Sequence, residues 1–132
     1  MTKKFKFCVK VYYEDTDAGG VVYYANYLKF LERARSEAIY SLGYTNSGLF
    51  ESYGVLLIVK SCNIEYKKPA QFEDKLDIVS EAVLFTKTSF VMKQNILRNN
   101  ELISIADIHL VVVDKNGKPS KIPNKLKQKL EN

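Results

Sequence analysis

The stretch Asp15-Thr-Asp-Ala-Gly-Gly-Val-Val-Tyr-Tyr-Ala-Asn-Tyr27 carries more information about the fold than any other part of this sequence. It places two carboxylates, Asp15 and Asp17, and a Gly-Gly pair in a polar turn that leads into a long apolar-striped segment. A carboxylate in such a turn faces the positive end of the following helix, where backbone N–H groups lack acceptors. The pattern predicts a base or nucleophile beside donors that can receive developing negative charge.

A long amphipathic helix is predicted from about residue 24 to residue 42. Apolar residues recur there at steps of three and four, no proline interrupts the segment, and Gly43 follows it as a candidate C-cap. The positions of the predicted apolar stripe are Tyr27, Phe30, Leu31, Ala34, Ala38 and Leu42.

The rest of the chain predicts mostly strands. Residues 5–13 alternate, with the odd-numbered residues from Phe5 to Tyr13 on the buried face, and a short helix is expected over residues 45–53. Asn99-Asn100 and Asn116-Gly117 are turn signals, so neighbouring strands are expected to pair antiparallel in a four-strand meander. The remaining predicted strands cover 55–66, 74–86, 89–98 and 102–114, and a terminal helix could follow Pro123.

These elements predict a single α+β domain over residues 1–132. A sheet of about five strands must cover its apolar face, and the 24–42 segment is the only element long and apolar enough to do so. We therefore expect a curved antiparallel sheet wrapped around one long central helix.

Composition restricts the class of protein further. The chain is 46% hydrophobic and 27% charged, which is typical of a soluble globular domain. Its two cysteines, Cys8 and Cys62, have neither a disulfide framework nor metal-ligand spacing, which favours a reducing compartment. No signal peptide or membrane span is visible, so we expect a cytoplasmic protein. The net charge of +5 favours acidic partners.

Residues 11–37, VYYEDTDAGGVVYYANYLKFLERARSE, resemble the YbgC-type acyl-CoA thioesterases of the 4-hydroxybenzoyl-CoA thioesterase-like hotdog superfamily. The resemblance extends over nearly the whole chain and implies the hotdog fold. It also implies hydrolysis of an acyl thioester to a free acid and a thiol. The motif aspartate of that family matches Asp17, which would act as a nucleophile that forms a mixed anhydride or as the base that activates water.

The resemblance also assigns the groups around the substrate. The backbone N–H of Tyr24 would polarise the thioester carbonyl, and Gly20 with Gly19 would let the substrate approach the backbone. YbgC-type members usually carry His at the position of Tyr24, whereas the hydroxybenzoyl-CoA branch carries Tyr. A backbone role survives this change, but acid–base catalysis by imidazole does not.

The expected partners follow from the same resemblance. The substrate thiol would be coenzyme A or an acyl-carrier protein, and Lys60 and Lys87 are candidates for contacts with phosphate. No separate cofactor and no metal are expected, since coenzyme A is part of the substrate. A homodimer or homotetramer is expected by analogy.

Several alternatives stay open at this stage. Asp15 is interpreted as a turn-former, and His109, the only histidine, as a strand residue without a catalytic role. An acyl-carrier-protein thioesterase and a non-catalytic module that binds an acyl carrier or an envelope-associated partner are the alternative functions. A hotdog dehydratase is disfavoured because no histidine lies near the central helix, and nucleic-acid binding because the lysines are dispersed.

Overall fold

The computed structural model describes residues 2–132 as one five-stranded antiparallel sheet with three α-helices. The polar turn ahead of α1 contains a short 3₁₀ helix, Tyr13–Asp15. The elements are β1 (Lys4–Lys10), α1 (Asn26–Ser41), α2 (Asn46–Tyr53), β2 (Leu56–Tyr66), β3 (Lys75–Val83), β4 (Ser89–Arg98), β5 (Glu101–Val113) and α3 (Asn124–Glu131).

The strand order is β1-β3-β4-β5-β2, and every neighbouring pair is antiparallel. The predicted four-strand meander is therefore wrong for one strand: β3, β4 and β5 follow one another, but β2 pairs with β5 at the edge of the sheet. Asn99 and Asn100 form the β4–β5 turn, both with positive φ. Asn116-Gly117 instead turns the chain back so that Pro119 bridges Val113, without adding a strand to the sheet.

The core lies between α1 and the sheet. All six residues of the predicted apolar stripe are buried, which confirms the periodicity argument. Because side chains alternate across a strand, one face of each central strand packs against this helix. The buried strand side chains include Leu76, Ile78, Phe90, Met92, Ile96, Ala106, Ile108 and Leu110.

The predicted boundaries need three corrections. β1 ends at Lys10, and Tyr13 is exposed because the chain has already turned into the 3₁₀ helix. α1 begins at Asn26, two residues later than expected. β3 ends at Val83, and residues 84–86 leave the sheet, beginning with Leu84 at a φ of 53°.

The second helix is confirmed together with its caps. The Thr45 hydroxyl accepts the Gly48 N–H at 2.8 Å, and Gly54 ends the helix in the left-handed conformation that a glycine adopts without strain. The predicted terminal helix is also present as α3, which buries Leu126 and Leu130. Within residues 2–132, no helix is both long and apolar enough to cross a membrane.

Candidate active site

The loop between β1 and α1 is held by backbone bonds on both sides. Within the loop, Asp17 N–H donates to the Val21 carbonyl at 2.9 Å, and Gly20 N–H donates to the Asp17 carbonyl at 3.0 Å. Gly20 has a φ of 81°, which a residue with a Cβ rarely adopts. Val22 N–H donates to the Ala70 carbonyl at 2.8 Å, so the loop is also attached to the segment that follows β2.

Asp17 is exposed on this loop. Its Oδ1 accepts the Gly19 N–H at 2.8 Å, and among residues 2–132 no group donates to Oδ2. A Cβ at position 19 would lie 3.2 Å from Asp17 Oδ1, so a side chain there would crowd the carboxylate. One oxygen is thus anchored by the turn while the other is available to a water molecule or a substrate.

Asp15 has a local structural role, in agreement with its interpretation as a turn-former. Its Oδ2 accepts the Tyr12 N–H at 2.9 Å. Its backbone carbonyl accepts both the Tyr23 N–H at 3.1 Å and the Asn26 Nδ2–H at 2.9 Å. The carbonyl of Asp15 therefore ties the loop to the start of α1.

Tyr24 lies just ahead of the helix, not in its first turn. Within the described part of the chain, no protein acceptor receives its backbone N–H. Its carbonyl accepts the Tyr66 hydroxyl at 3.1 Å, and its ring is 62% exposed. Among residues 2–132 this N–H is therefore unpaired, and it lies in the turn that leads into α1; its role as a donor to substrate stays a prediction.

A cleft of about 290 Å³ opens beside Tyr24. Tyr27 lies in its wall, where its hydroxyl accepts the Ala70 N–H at 3.0 Å, and burial raises the pKa of this phenol. Asp17 is not among the residues that line this cleft. The lining residues are Val22, Tyr24, Tyr27, Tyr66, Lys67, Lys68 and Pro69.

The two lysines of the cleft are engaged by carboxylates. Lys67 Nζ lies 2.7 Å from Glu65, and Lys68 Nζ lies 2.5 Å from Glu101. Sequence reasoning missed both residues, as it missed Asn26 and Tyr66. The run Lys67-Lys68-Pro69 directly after β2 could have indicated these lysines, because basic residues that follow a strand lie at the end of the sheet where that strand stops.

The lysines chosen from sequence lie elsewhere in the chain. Lys60 is exposed at the β2 irregularity, six positions before Tyr66 and so about 20 Å from it along an extended strand. Lys87 lies in the β3–β4 connection, where its carbonyl accepts the Ile122 N–H. That connection is at the opposite end of the sheet from Lys67, so neither lysine joins Tyr24 within one chain.

His109 lies on β5, half-buried, with its side chain outside any hydrogen bond among residues 2–132. It forms no triad with Asp107, which is exposed on the same face. The described residues also contain no cluster of three or more His, Cys, Asp or Glu side chains that could hold a metal ion. The absence of a cofactor remains a prediction.

Comparison with known proteins identifies the family. The sequence model of the thioesterase-like superfamily matches residues 11–130. The chain belongs to this superfamily. It is 39% identical over 124 residues to the acyl-CoA thioesterase YbgC of Haemophilus influenzae. The aligned region covers 93% of this chain and 91% of that protein.

Solved structures agree with the fold. A probable thioesterase from Bartonella henselae superposes with a TM-score of 0.87 at 31% identity, covering 92% of this chain and 100% of that one. A 4-hydroxybenzoyl-CoA thioesterase in complex with 4-hydroxybenzoyl-CoA superposes with a TM-score of 0.90 at 20% identity, covering 97% of this chain and 99% of that one. At this identity the likeness supports the fold alone. The family resemblance, the hotdog fold and the expectation of an enzyme of the thioester hydrolase class are confirmed.

Proposed function

We propose that this chain hydrolyses acyl-CoA thioesters, with Asp17 as nucleophile or general base and the Tyr24 N–H as donor to the carbonyl oxygen. The observation that supports this most directly is the unpaired Tyr24 N–H on the same short loop as the half-anchored Asp17 carboxylate. The curated YbgC relatives are named acyl-CoA thioesterases, which supports the same substrate class.

The chemistry needs one oxygen nucleophile and one stabiliser of negative charge. In one route Asp17 attacks the thioester carbonyl, the C–S bond breaks, and water then hydrolyses the mixed anhydride. In the other route Asp17 takes a proton from water, the water oxygen attacks the carbonyl, and the C–S bond breaks to release the thiolate, which takes up the proton. Both routes place negative charge on the carbonyl oxygen, where one backbone donor typically contributes about 3 kcal/mol to lowering the barrier.

The phosphates of coenzyme A are the remaining recognition problem. The net charge of +5 favours an anionic substrate, and Lys67 and Lys68 place ammonium groups at the cleft beside Tyr24. Lys60 and Lys87 stay as proposed phosphate contacts, and Gly20 as the proposed position of close substrate approach. Because Lys60 and Lys87 lie far from Tyr24 in one chain, they could contribute only across subunits of the proposed homodimer or homotetramer.

The test is a panel of acyl-CoA and acyl-carrier-protein thioesters, from short to long aliphatic and benzoyl acyl groups, followed by thiol release. In Asp17→Asn we expect a loss of at least about a hundredfold in kcat, because the amide keeps the Gly19 bond but not the charge. Asp15→Asn is the matched control and retains most activity, since its amide oxygen still accepts the Tyr12 N–H.

The outcomes separate the candidate functions. Faster turnover of acyl-carrier protein than of coenzyme A substrates would favour the carrier-protein thioesterase. Equal thioester turnover by the wild type and Asp17→Asn would reject the role of Asp17. If both rates also equal the uncatalysed rate, the non-catalytic binding module would be favoured.

A further inference from the structure

The positive charge of the chain is concentrated in residues 114–132. This segment holds six lysines and two acidic residues, whereas residues 1–113 hold 14 Lys and Arg against 13 Asp and Glu and are nearly balanced. Within residues 2–132, none of the six forms an ion pair. These C-terminal lysines are Lys115, Lys118, Lys121, Lys125, Lys127 and Lys129. The proposed hydrolysis assigns no role to them.

The fold brings this segment to one end of the sheet. The Ile122 N–H donates to the Lys87 carbonyl in the β3–β4 connection at 3.0 Å, so the segment crosses the end of the sheet at which β3 stops. Because β1 is antiparallel to β3, the loop with Asp17, which follows β1, lies at the end at which β3 starts. The C-terminal lysines are therefore remote from the proposed catalytic loop of the same chain.

Aromatic rings hold two of the lysines on either side of α3. Lys127 Nζ lies 5.6 Å from the ring centroid of Phe85 in the β3–β4 connection. Lys129 Nζ lies 4.7 Å from the ring centroid of Tyr44, which lies between α1 and α2. The ammonium groups are thus spread across the width of the helix. A broad basic surface of this kind fits an extended anionic partner better than a small anion.

An exposed leucine lies beside these lysines. Leu84 directly precedes Phe85 and is 72% exposed, more than any other large aliphatic side chain of residues 2–132. Its φ of 53° is a conformation that a bulky residue rarely adopts. The backbone at Leu84 is therefore strained, while the side chain buries little apolar surface in return.

Lysines around a protruding apolar side chain match the surface of an anionic bilayer. The headgroups attract basic residues within a Debye length, and the acyl chains beneath them accept apolar side chains. Nucleic acid offers phosphates and aromatic bases, but no aliphatic layer for a leucine. Leu84 together with the lysines therefore favours a lipid surface.

We propose that the C-terminal lysines and Leu84 bind reversibly to an anionic lipid bilayer, with Leu84 at the boundary between headgroups and acyl chains. The helix α3 stays outside the acyl layer, because its apolar residues Leu126 and Leu130 are buried against the rest of the protein. The two acidic residues of the segment, Asp114 and Glu131, reduce the attraction. The proposal goes beyond thioester hydrolysis and does not depend on it.

The test is co-sedimentation of the full chain with vesicles. One set contains phosphatidylcholine alone, and the other contains phosphatidylcholine mixed with an equal amount of phosphatidylglycerol. We expect binding to the mixed vesicles only. In about 1 M NaCl, where the Debye length is about 3 Å, most of this binding should be lost.

The double variant Lys121→Gln with Lys125→Gln removes two exposed charges. Its binding to mixed vesicles should weaken by roughly tenfold or more, because each lysine near an anionic surface contributes about fivefold. The matched control is Lys10→Gln with Lys75→Gln, which removes the same charge at the opposite end of the sheet and leaves the affinity nearly unchanged. Leu84→Ser should weaken binding by roughly threefold to tenfold, because less apolar surface enters the bilayer.

A thermal melt checks that the lysine variant is folded. If it is not, Lys115→Gln with Lys118→Gln takes its place, with the same expected loss. A wild type that does not bind mixed vesicles, or equal binding by the wild type and the folded lysine variant, would overturn the proposal. So would displacement from the vesicles by coenzyme A, or tighter binding to single-stranded DNA or polyglutamate, since each result would assign the lysines to a different anion.

Discussion

Asn26 joins the two halves of the proposed catalytic site. Its side-chain amide donates to the Asp15 carbonyl at 2.9 Å, two residues before Asp17, and its backbone N–H donates to the Tyr23 carbonyl at 2.8 Å. That carbonyl belongs to the same planar peptide group as the Tyr24 N–H, so orienting one orients the other. In the proposed mechanism Asn26 would thus act as a positioning residue that relates the Asp17 loop to the Tyr24 N–H.

Replacing Asn26 by alanine should lower kcat more than it changes KM. Because misplacement by about 1 Å can cost up to about a hundredfold, we expect kcat to fall by roughly tenfold to a hundredfold, with KM within about threefold of wild type. The measurement is steady-state hydrolysis of the best acyl-CoA substrate of the panel.

The control for this prediction is Asn95→Ala, which removes an exposed asparagine of β4 that makes no side-chain hydrogen bond within residues 2–132. It should retain wild-type kinetics. Wild-type kcat in Asn26→Ala, or an equal loss in both variants, would contradict the positioning role.

At the scale of elements, the segment after β2 is held against the sheet by the end of β4. Arg98 Nη1 donates to the Pro69 carbonyl at 3.1 Å and to Asp74 at 2.7 Å, while Nη2 donates to Glu101 across the β4–β5 turn at 2.9 Å. The neighbouring Ala70 carbonyl accepts the N–H of Val22 from the proposed catalytic loop. A charged network therefore supports the segment to which the proposed catalytic loop is attached.

This network predicts how stability changes with pH. Hydrogen bonds from Lys68 and then Arg98 lower the pKa of Glu101 in the folded chain. The stability that Glu101 contributes is therefore complete above its unfolded pKa of about 4.3 and is lost as the pH falls through the lower folded value. The free energy of unfolding of wild type should exceed that of Glu101→Gln at pH 7, and this difference should shrink below about pH 4.

Urea unfolding is the suitable measurement, because guanidinium salts would screen the charges. Glu51→Gln on α2, where Glu51 has no ion pair among the described residues, is the control. Its difference from wild type should stay nearly constant over the same pH range. A Glu101→Gln difference that does not vary with pH would show that the network contributes no linked protonation.

At the scale of the whole molecule, β2 is an edge strand with unusual apolar exposure. It is 11 residues long and, among residues 2–132, pairs only with β5, while Ile58 and Val59 are 45% and 50% exposed. Long apolar edges favour association, and native proteins usually cover them. A second copy of β2, related by a two-fold axis, could cover this edge. This arrangement supports a homodimer, either alone or as half of the proposed homotetramer.

Ile58→Glu should therefore reduce the mass of the particle in solution. Placing a charge on this edge makes pairing of two β2 strands unfavourable, so we expect light scattering after size exclusion to show a shift from dimer or tetramer toward smaller species.

Leu84→Glu is the matched control, since Leu84 is 72% exposed but lies in the β3–β4 connection, away from β2. It should keep the wild-type mass. A wild type that is monomeric, or an Ile58→Glu variant with the wild-type mass, would contradict association through this edge.

Much of the fold could be predicted because it depends on local pattern. The apolar stripe of α1 follows from a period of 3.6 residues, and the ends of α2 follow from Thr45 and Gly54, whose effects reach only a few residues along the chain. The proposed catalytic loop was also predictable, since Asp17 and Tyr24 are only seven positions apart. Short-range interactions of this kind are contained in the order of the residues.

The amino-acid sequence by itself determined the strands, the central helix, the family and the loop that carries Asp17. Only the tertiary structure decided that β2 pairs with β5, that Lys67 and Lys68 lie beside Tyr24 while Lys60 and Lys87 do not, and that Phe85 lies beside Lys127. These features join residues that are far apart in the chain. Their proximity results from the pairing of whole strands and the packing of α1 on the sheet, which no local pattern specifies.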